Sequence, residues 1–144
     1  MSIVNLCLFL MNRRTMSNPK FSFRSRIKSV SYAVQGVFTF FKTQTNAWIH
    51  LVAAGVAVTL GFKFHINKTE WLAIVFAIAL VFVAEMLNTA LEFLTDLASP
   101  SVHPLAKKAK DVAAGAVLVA AMTSIVIAVV VFLPKLMCSY SCHA

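Results

Sequence analysis

Four residues in the segment Glu85-Met86-Leu87-Asn88-Thr89-Ala90-Leu91-Glu92-Phe93-Leu94-Thr95-Asp96 have the types and the spacing for chemistry. The segment holds three of the five acidic residues in the chain and closes an apolar run that begins at Trp71. At about 100° per residue on a helix, Glu85, Asn88, Glu92 and Asp96 fall within an arc of roughly 80°. One stripe of an apolar helix therefore carries three carboxyls and an amide. Ionisable groups at membrane depth are costly, so they face a bundle interior or a water-filled space and mark pathways or sites. Oxygen donors of this kind suit Mg²⁺, which keeps several waters and takes one or two carboxylates plus substrate phosphates. A carboxylate away from the metal can accept a proton from a hydroxyl. Lys110, with Asp111 beside it and Gln44 expected at the same depth, can neutralise phosphate oxygens as a point charge. Phosphoryl transfer from a nucleotide to a membrane-borne alcohol uses all of these parts, because its catalysis is mostly positioning and electrostatics.

The elements that must carry this stripe are membrane helices. Of 144 residues, 60% are hydrophobic and 12% charged, with a mean hydropathy of +0.82, far too apolar for a soluble domain of this size. The fold class is an all-α membrane protein: an amphipathic surface helix over about 21–42, then spans at about 46–64, 71–97 and 112–133, each long enough for a hydrocarbon core of ~30 Å. Over 21–42, Phe23, Ile27, Val30, Val34, Val37, Phe38 and Phe41 recur at helical spacing among basic residues, as in a helix lying on a membrane surface. Three helices offer little interior in which to shelter a polar stripe, so further copies of the chain are the simplest expected partners.

The net charge of +8 is a matter of topology rather than of nucleic-acid binding. Seven of the thirteen basic residues precede the first span and Lys107, Lys108 and Lys110 lie between the second and third, against Lys63 and Lys68 in the first loop and Lys135 after the third span. The positive-inside rule then predicts a cytoplasmic N-terminus and second loop, an external first loop and an external C-terminus. Residues 1–20 lack the order of a secretory signal, since Arg13-Arg14 follow the apolar run instead of preceding it. An overlong assigned start, with Met16 opening a shorter chain, fits them as well as a membrane-associated tail does. Pro100 and Pro104 are expected to break the chain after the second span and Pro134 to close the third. Cys7, Cys138 and Cys142 lie near the ends, and the Cys138–His143 cluster falls short of the four ligands of a structural zinc site, so 135–144 is expected to be a tail.

On the residues alone, the stripe also fits helices held together by polar side chains, or a proton or cation pathway. A conduit needs polar groups through the whole membrane, whereas Trp71–Ala84 is wholly apolar. With four glycines in all, the chain contains neither G-x-x-x-x-G-K-[ST] nor G-x-G-x-x-G, so a nucleotide site here is of another kind.

The pattern Glu85-x-x-Asn88-Thr89-Ala90-x-Glu92-x-x-x-Asp96, followed by His103-x-Leu105-x-x-x-Ala109-Lys110-Asp111-x-x-Ala114-Gly115-Ala116-Val117-Leu118, closely resembles the signature of the small prokaryotic diacylglycerol kinase and undecaprenol kinase family. The likeness spans about 21–134 and includes Tyr32-Ala33 and Gly36. It implies one lipid-kinase domain over 21–134 in the inner, cytoplasmic membrane. The enzyme would be a homotrimer with active sites shared between subunits, transferring the γ-phosphoryl of ATP, with Mg²⁺, to a lipid alcohol at the cytoplasmic face. It further implies Glu85 as catalytic base and Glu92 and Gln44 as metal ligands. Tyr32, Asn88, Asp96, His103, Lys110 and Asp111 would serve the nucleotide, and Asn46 and His50, with Glu85, the lipid. Where the family often has a metal-binding Glu, this chain has Gln44, whose amide oxygen can coordinate Mg²⁺ but brings no charge. The Ile49-His50-Leu51-Val52-Ala53-Ala54 stretch looks more like the undecaprenol kinase branch.

Overall fold

The computed structural model of the protein describes residues 22–99 and 103–141, except the side chains of 139–141. The tail 1–20 with Cys7, Pro100, and Cys142-His143 lie outside the described residues. Every described element is a helix: α1 (Phe23–Thr43), α2 (Thr45–Lys63), α3 (Lys68–Ala98) and α4 (Pro104–Ser141). Three of them, α2, α3 and α4, are long and apolar enough to cross a membrane. The chain divides into two compact units, 1–36 and 37–144. The first contains the N-terminal part of α1, exposed throughout its described residues. The second, from Val37 onward, contains the rest of α1 and all of α2, α3 and α4.

Between α1 and α2 the helical path is interrupted at one residue, Gln44, with an extended backbone (φ −110°, ψ 112°). Gln44 is the N-cap of α2, yet its side chain makes no capping hydrogen bond and is free to reach elsewhere. An aromatic cluster fixes this corner. The Phe41 ring lies 5.7 Å from that of Trp48 and 6.1 Å from that of Phe82, the indole N–H of Trp48 donates to the Phe41 carbonyl at 3.1 Å, and Phe40 is buried. The edge-on contact of Phe41 with Trp48 is of a kind that adds about 0.5–1.5 kcal/mol beyond simple burial.

The turn from α2 to α3 is built from two helix caps set back to back. At the C-terminus of α2, His65 adopts φ 48°, while its N–H donates to the Phe62 carbonyl and that of Ile66 to the Gly61 carbonyl, both at 3.2 Å. This is the paired bonding of a Schellman cap. Gly61 is required by close approach, since a Cβ there would stand 2.8 Å from the Trp71 ring. At the N-terminus of α3, the Asn67 side chain accepts from the Glu70 N–H at 3.0 Å, and the Glu70 carboxylate accepts from the Asn67 N–H at 2.7 Å. The result is a capping box, extended by an ion pair from Lys135 to Glu70 at 3.1 Å.

The main packing is α3 against α4, with α2 more lightly on α3. Near the α2–α3 turn, Ile66, Ile74, Val131 and Phe132 form the buried core. Further along, the contact is made by small residues: Ala77 and Ala120 are buried, and Ser124 on α4 donates to the Ala77 carbonyl on α3 at 3.1 Å. Small residues let helix backbones approach closely where hydrocarbon replaces water and no hydrophobic drive remains between helices.

Of the prolines expected as breakers, Pro104 does stand after the end of α3 at Ala98, whereas Pro134 departs from the expectation. Pro104 opens α4 as its first residue, a position where the missing N–H costs nothing and the fixed φ fits. Pro134 lies inside α4, which continues to Ser141. One absent donor interrupts the hydrogen-bond ladder without ending it, and the Lys135–Glu70 ion pair ties the following turn to α3.

Asn67→Ala should lower stability by about 1 kcal/mol, read as a lower midpoint of thermal unfolding in detergent, and Asn67→Ser should recover most of the loss.

Candidate active site

The polar stripe of α3 is graded by depth. Glu85 is 3% exposed and Asn88 9%, Glu92 is half-buried, and Asp96 is exposed. Each member meets a different partner, because α2 covers the inner part of the stripe and the start of α4 meets its outer end.

At the innermost position His50 Nε2 lies 3.0 Å from Glu85 Oε1, with side-chain exposures of 23% and 4%. The Thr89 hydroxyl donates to the Glu85 carbonyl one turn away. His50 also borders an apolar cavity of about 270 Å³ between α2, α3 and α4, lined largely by alanines such as Ala53, Ala54, Ala77 and Ala121. A hydroxyl at the end of an apolar molecule in this cavity would meet His50, and Glu85 stands directly behind it.

Two turns along, Glu92 accepts from two amides: Asn88 Nδ2 donates to Oε1 at 3.0 Å and Gln44 Nε2 to Oε2 at 3.1 Å. The unused capping capacity of Gln44 is thus spent across the helix interface. Asn88 Oδ1 is buried without a hydrogen-bond partner among the described residues, a costly condition for an acceptor unless something electropositive joins it. Among the described residues no group of three or more His, Cys, Asp or Glu could hold a metal ion. The donor set here is mixed instead. The Glu92 carboxylate with the amide oxygens of Asn88 and Gln44 is the hard oxygen chemistry that Mg²⁺ takes, and the partnerless Asn88 oxygen fits that use.

At the outer end Lys110 donates to Asp96 at 2.5 Å, joining α4 to α3. Asp111 is held on its own helix by Lys107 at 2.6 Å. His103 Nδ1 accepts from the Leu105 N–H at 3.2 Å and so closes the first turn of α4. Asn46 is exposed in the first turn of α2, and Tyr32 is exposed on α1 in the first compact unit.

The structure therefore brings together His50 with Glu85, Gln44 and Asn88 with Glu92, and Lys110 with Asp96. Lys107 carried no role in the sequence, although its i, i+4 spacing to Asp111 is a legible ion-pair signal. The pairing of His50 with Glu85 crosses 35 residues and has no local signal at all.

The family model described as prokaryotic diacylglycerol kinase matches residues 31–132. The chain is similar to the undecaprenol kinase of Bacillus subtilis strain 168, with 42% identity over 109 residues that make up 76% of this chain and 89% of that protein. It is similar to a diacylglycerol kinase of Synechocystis sp. PCC 6803, 39% identical over 110 residues, 76% of this chain but 63% of that protein. A diacylglycerol kinase of Haemophilus influenzae Rd is 30% identical over 94 residues, 65% of this chain and 80% of that protein.

Two substitutions separate the buried part of the stripe from its exposed end. Glu92→Leu strands two amides and should cost about 1–3 kcal/mol, whereas Lys110→Met breaks an exposed ion pair and should cost under about 1 kcal/mol. Unfolding by graded sodium dodecyl sulfate in mixed micelles measures both.

Proposed function

The chain belongs to the prokaryotic diacylglycerol kinase family, and from that premise we propose that it transfers the γ-phosphoryl of ATP, with Mg²⁺, to a lipid alcohol at the cytoplasmic face of the inner membrane. The observation that carries this is the gradation along α3. A buried carboxylate is tied to His50, which lines an apolar cavity, a mixed oxygen set follows two turns on, and a lysine–aspartate pair stands at the exposed end. A lipid kinase needs these three environments in this order, with the alcohol in the membrane and the nucleotide in water.

Each group has a task in this reading. Lys110 meets the phosphates as a point charge, and Asp96, Asn88, Asp111 and His103 orient the nucleotide, the role that the family resemblance also gives Tyr32. Glu92, with the amide oxygens of Gln44 and Asn88, holds Mg²⁺, which when bound neutralises charge on the phosphate oxygens. Glu85 accepts the hydroxyl proton as the lipid oxygen bonds to the γ-phosphorus and the β–γ bridging bond breaks, leaving ADP. Exclusion of water around Glu85 strengthens every electrostatic contact there and disfavours transfer to water. Asn46 and His50 serve the lipid side. The basic N-terminus and second loop face the cytoplasm, the C-terminus lies outside, and the active unit is a homotrimer whose neighbouring copies cover the apolar faces that one chain leaves exposed.

For the acceptor we favour undecaprenol over diacylglycerol, supported by the Ile49-His50-Leu51-Val52-Ala53-Ala54 stretch and the likeness to the Bacillus subtilis undecaprenol kinase.

The direct test is transfer of labelled γ-phosphate from MgATP to purified undecaprenol and to diacylglycerol in mixed micelles. Label is expected in the polyprenol, and absence of transfer to any lipid alcohol would refute the proposal. Glu85→Gln should lower turnover by about 10²–10⁴-fold while nucleotide binding, followed by calorimetry, persists. Gln44→Glu adds a charge beside Glu92 and should lower the Mg²⁺ concentration for half-maximal activity; an unchanged Mg²⁺ dependence would show that Gln44 does not touch the metal.

A further inference from the structure

We propose that His50 is the positioning residue for Glu85. Its Nε2–H holds the carboxylate next to the imidazole that lines the alanine-rich cavity, in the one orientation from which it can take a proton from the lipid hydroxyl. The inference rests on the lipid-kinase reading and adds to it a part for a side chain otherwise placed with the lipid.

Three observations carry it. First, Glu85 has 4% of its side chain exposed, and His50 Nε2 stands 3.0 Å from its Oε1. To take a proton Glu85 must be a carboxylate, which can only accept, so in the proposed step the hydrogen of this bond is the one on His50 Nε2. Second, the other polar side chains on and around the stripe are engaged elsewhere: Gln44 and Asn88 bond to Glu92, and Lys110 bonds to Asp96. Among these bonds, the one that orients the Glu85 carboxyl comes from His50. Third, His50 lines the cavity while α4 contributes small or apolar residues there, Ala121, Ser124, Ile125 and Ala128, so no charged group of α4 stands in for the imidazole. A long carboxyl side chain without this tie can turn among several rotamers, and a misplacement of about 1 Å at a reacting centre costs on the order of 10²-fold in rate.

The test uses the full chain in mixed micelles with MgATP and the lipid alcohol that the wild type phosphorylates. His50→Leu should lower kcat by about 10²-fold with the KM for MgATP unchanged. His50→Gln, whose amide N–H reaches nearly as far as Nε2, should recover most of the rate, and His50→Asn, which is shorter, should not. Glu85→Asp withdraws the carboxyl from the imidazole, so His50→Leu added to Glu85→Asp should cost little more than Glu85→Asp alone, the mark of two residues acting as one. Full kcat in His50→Leu, or fully additive losses in the double variant, would overturn the inference while leaving the kinase reading intact. If His50→Leu does not fold, equal rates for the Gln and Asn variants would overturn it by themselves. Absence of lipid phosphorylation by the wild type would overturn the kinase reading and this inference together.

Discussion

A carboxylate buried between apolar helices must have a polar partner, and this requirement governs how α2 and α3 meet. Glu85 lies where isolation would cost several kcal/mol, and its partner, His50, comes from the neighbouring helix. A second tie, Gln44 to Glu92, repeats the match further along. Because the helices run antiparallel, the seven residues from Glu85 to Glu92 advance about 10.5 Å on α3, while the six from His50 back to Gln44 advance about 9 Å on α2. The two bonds therefore hold at one register, and a slip of a single turn would break both. Alanines on α3 and α4 then let the third helix close over the same strip without a bulky wedge.

What could be read from the sequence and what could not divide along a physical line. Periodicity and charge bias are local or additive, so the all-helical class, three long apolar segments and the stripe of α3 were all visible in residue types and spacing. Burial decreasing from Glu85 to Asp96 also follows from their order along one apolar helix. Pairings across helices depend on rotation and register, which no single segment encodes. His50 could be placed near one end of its span, yet nothing in its neighbours pointed to Glu85. Pro134 misled in the opposite way. Pro104 stands after the end of α3, where a break was expected, but Pro134, a breaker by composition, is spanned by a helix held through Val131 and Phe132 before it and by Lys135 after it.

Gln44 joins these two lessons. As a residue it is a neutral substitute at a position where a related enzyme often carries charge; as a place in the fold it is the single extended residue between two helices. Because its side chain is not used to cap α2, the backbone break and the bond to Glu92 are available at once. A cap-forming Ser or Asp there would tend to bond to its own helix instead.

The turn between α2 and α3 bears on how the chain enters a bilayer. Four successive amides, from Phe64 to Asn67, all donate within the turn, to Leu60, Phe62, Gly61 and the Glu70 side chain. Backbone groups can be carried into hydrocarbon only when they are internally satisfied. A turn closed in this way leaves few backbone groups in need of water, so α2 and α3 form one helical hairpin whose tip carries little hydration, with the Glu70 charge covered by Lys135 of α4.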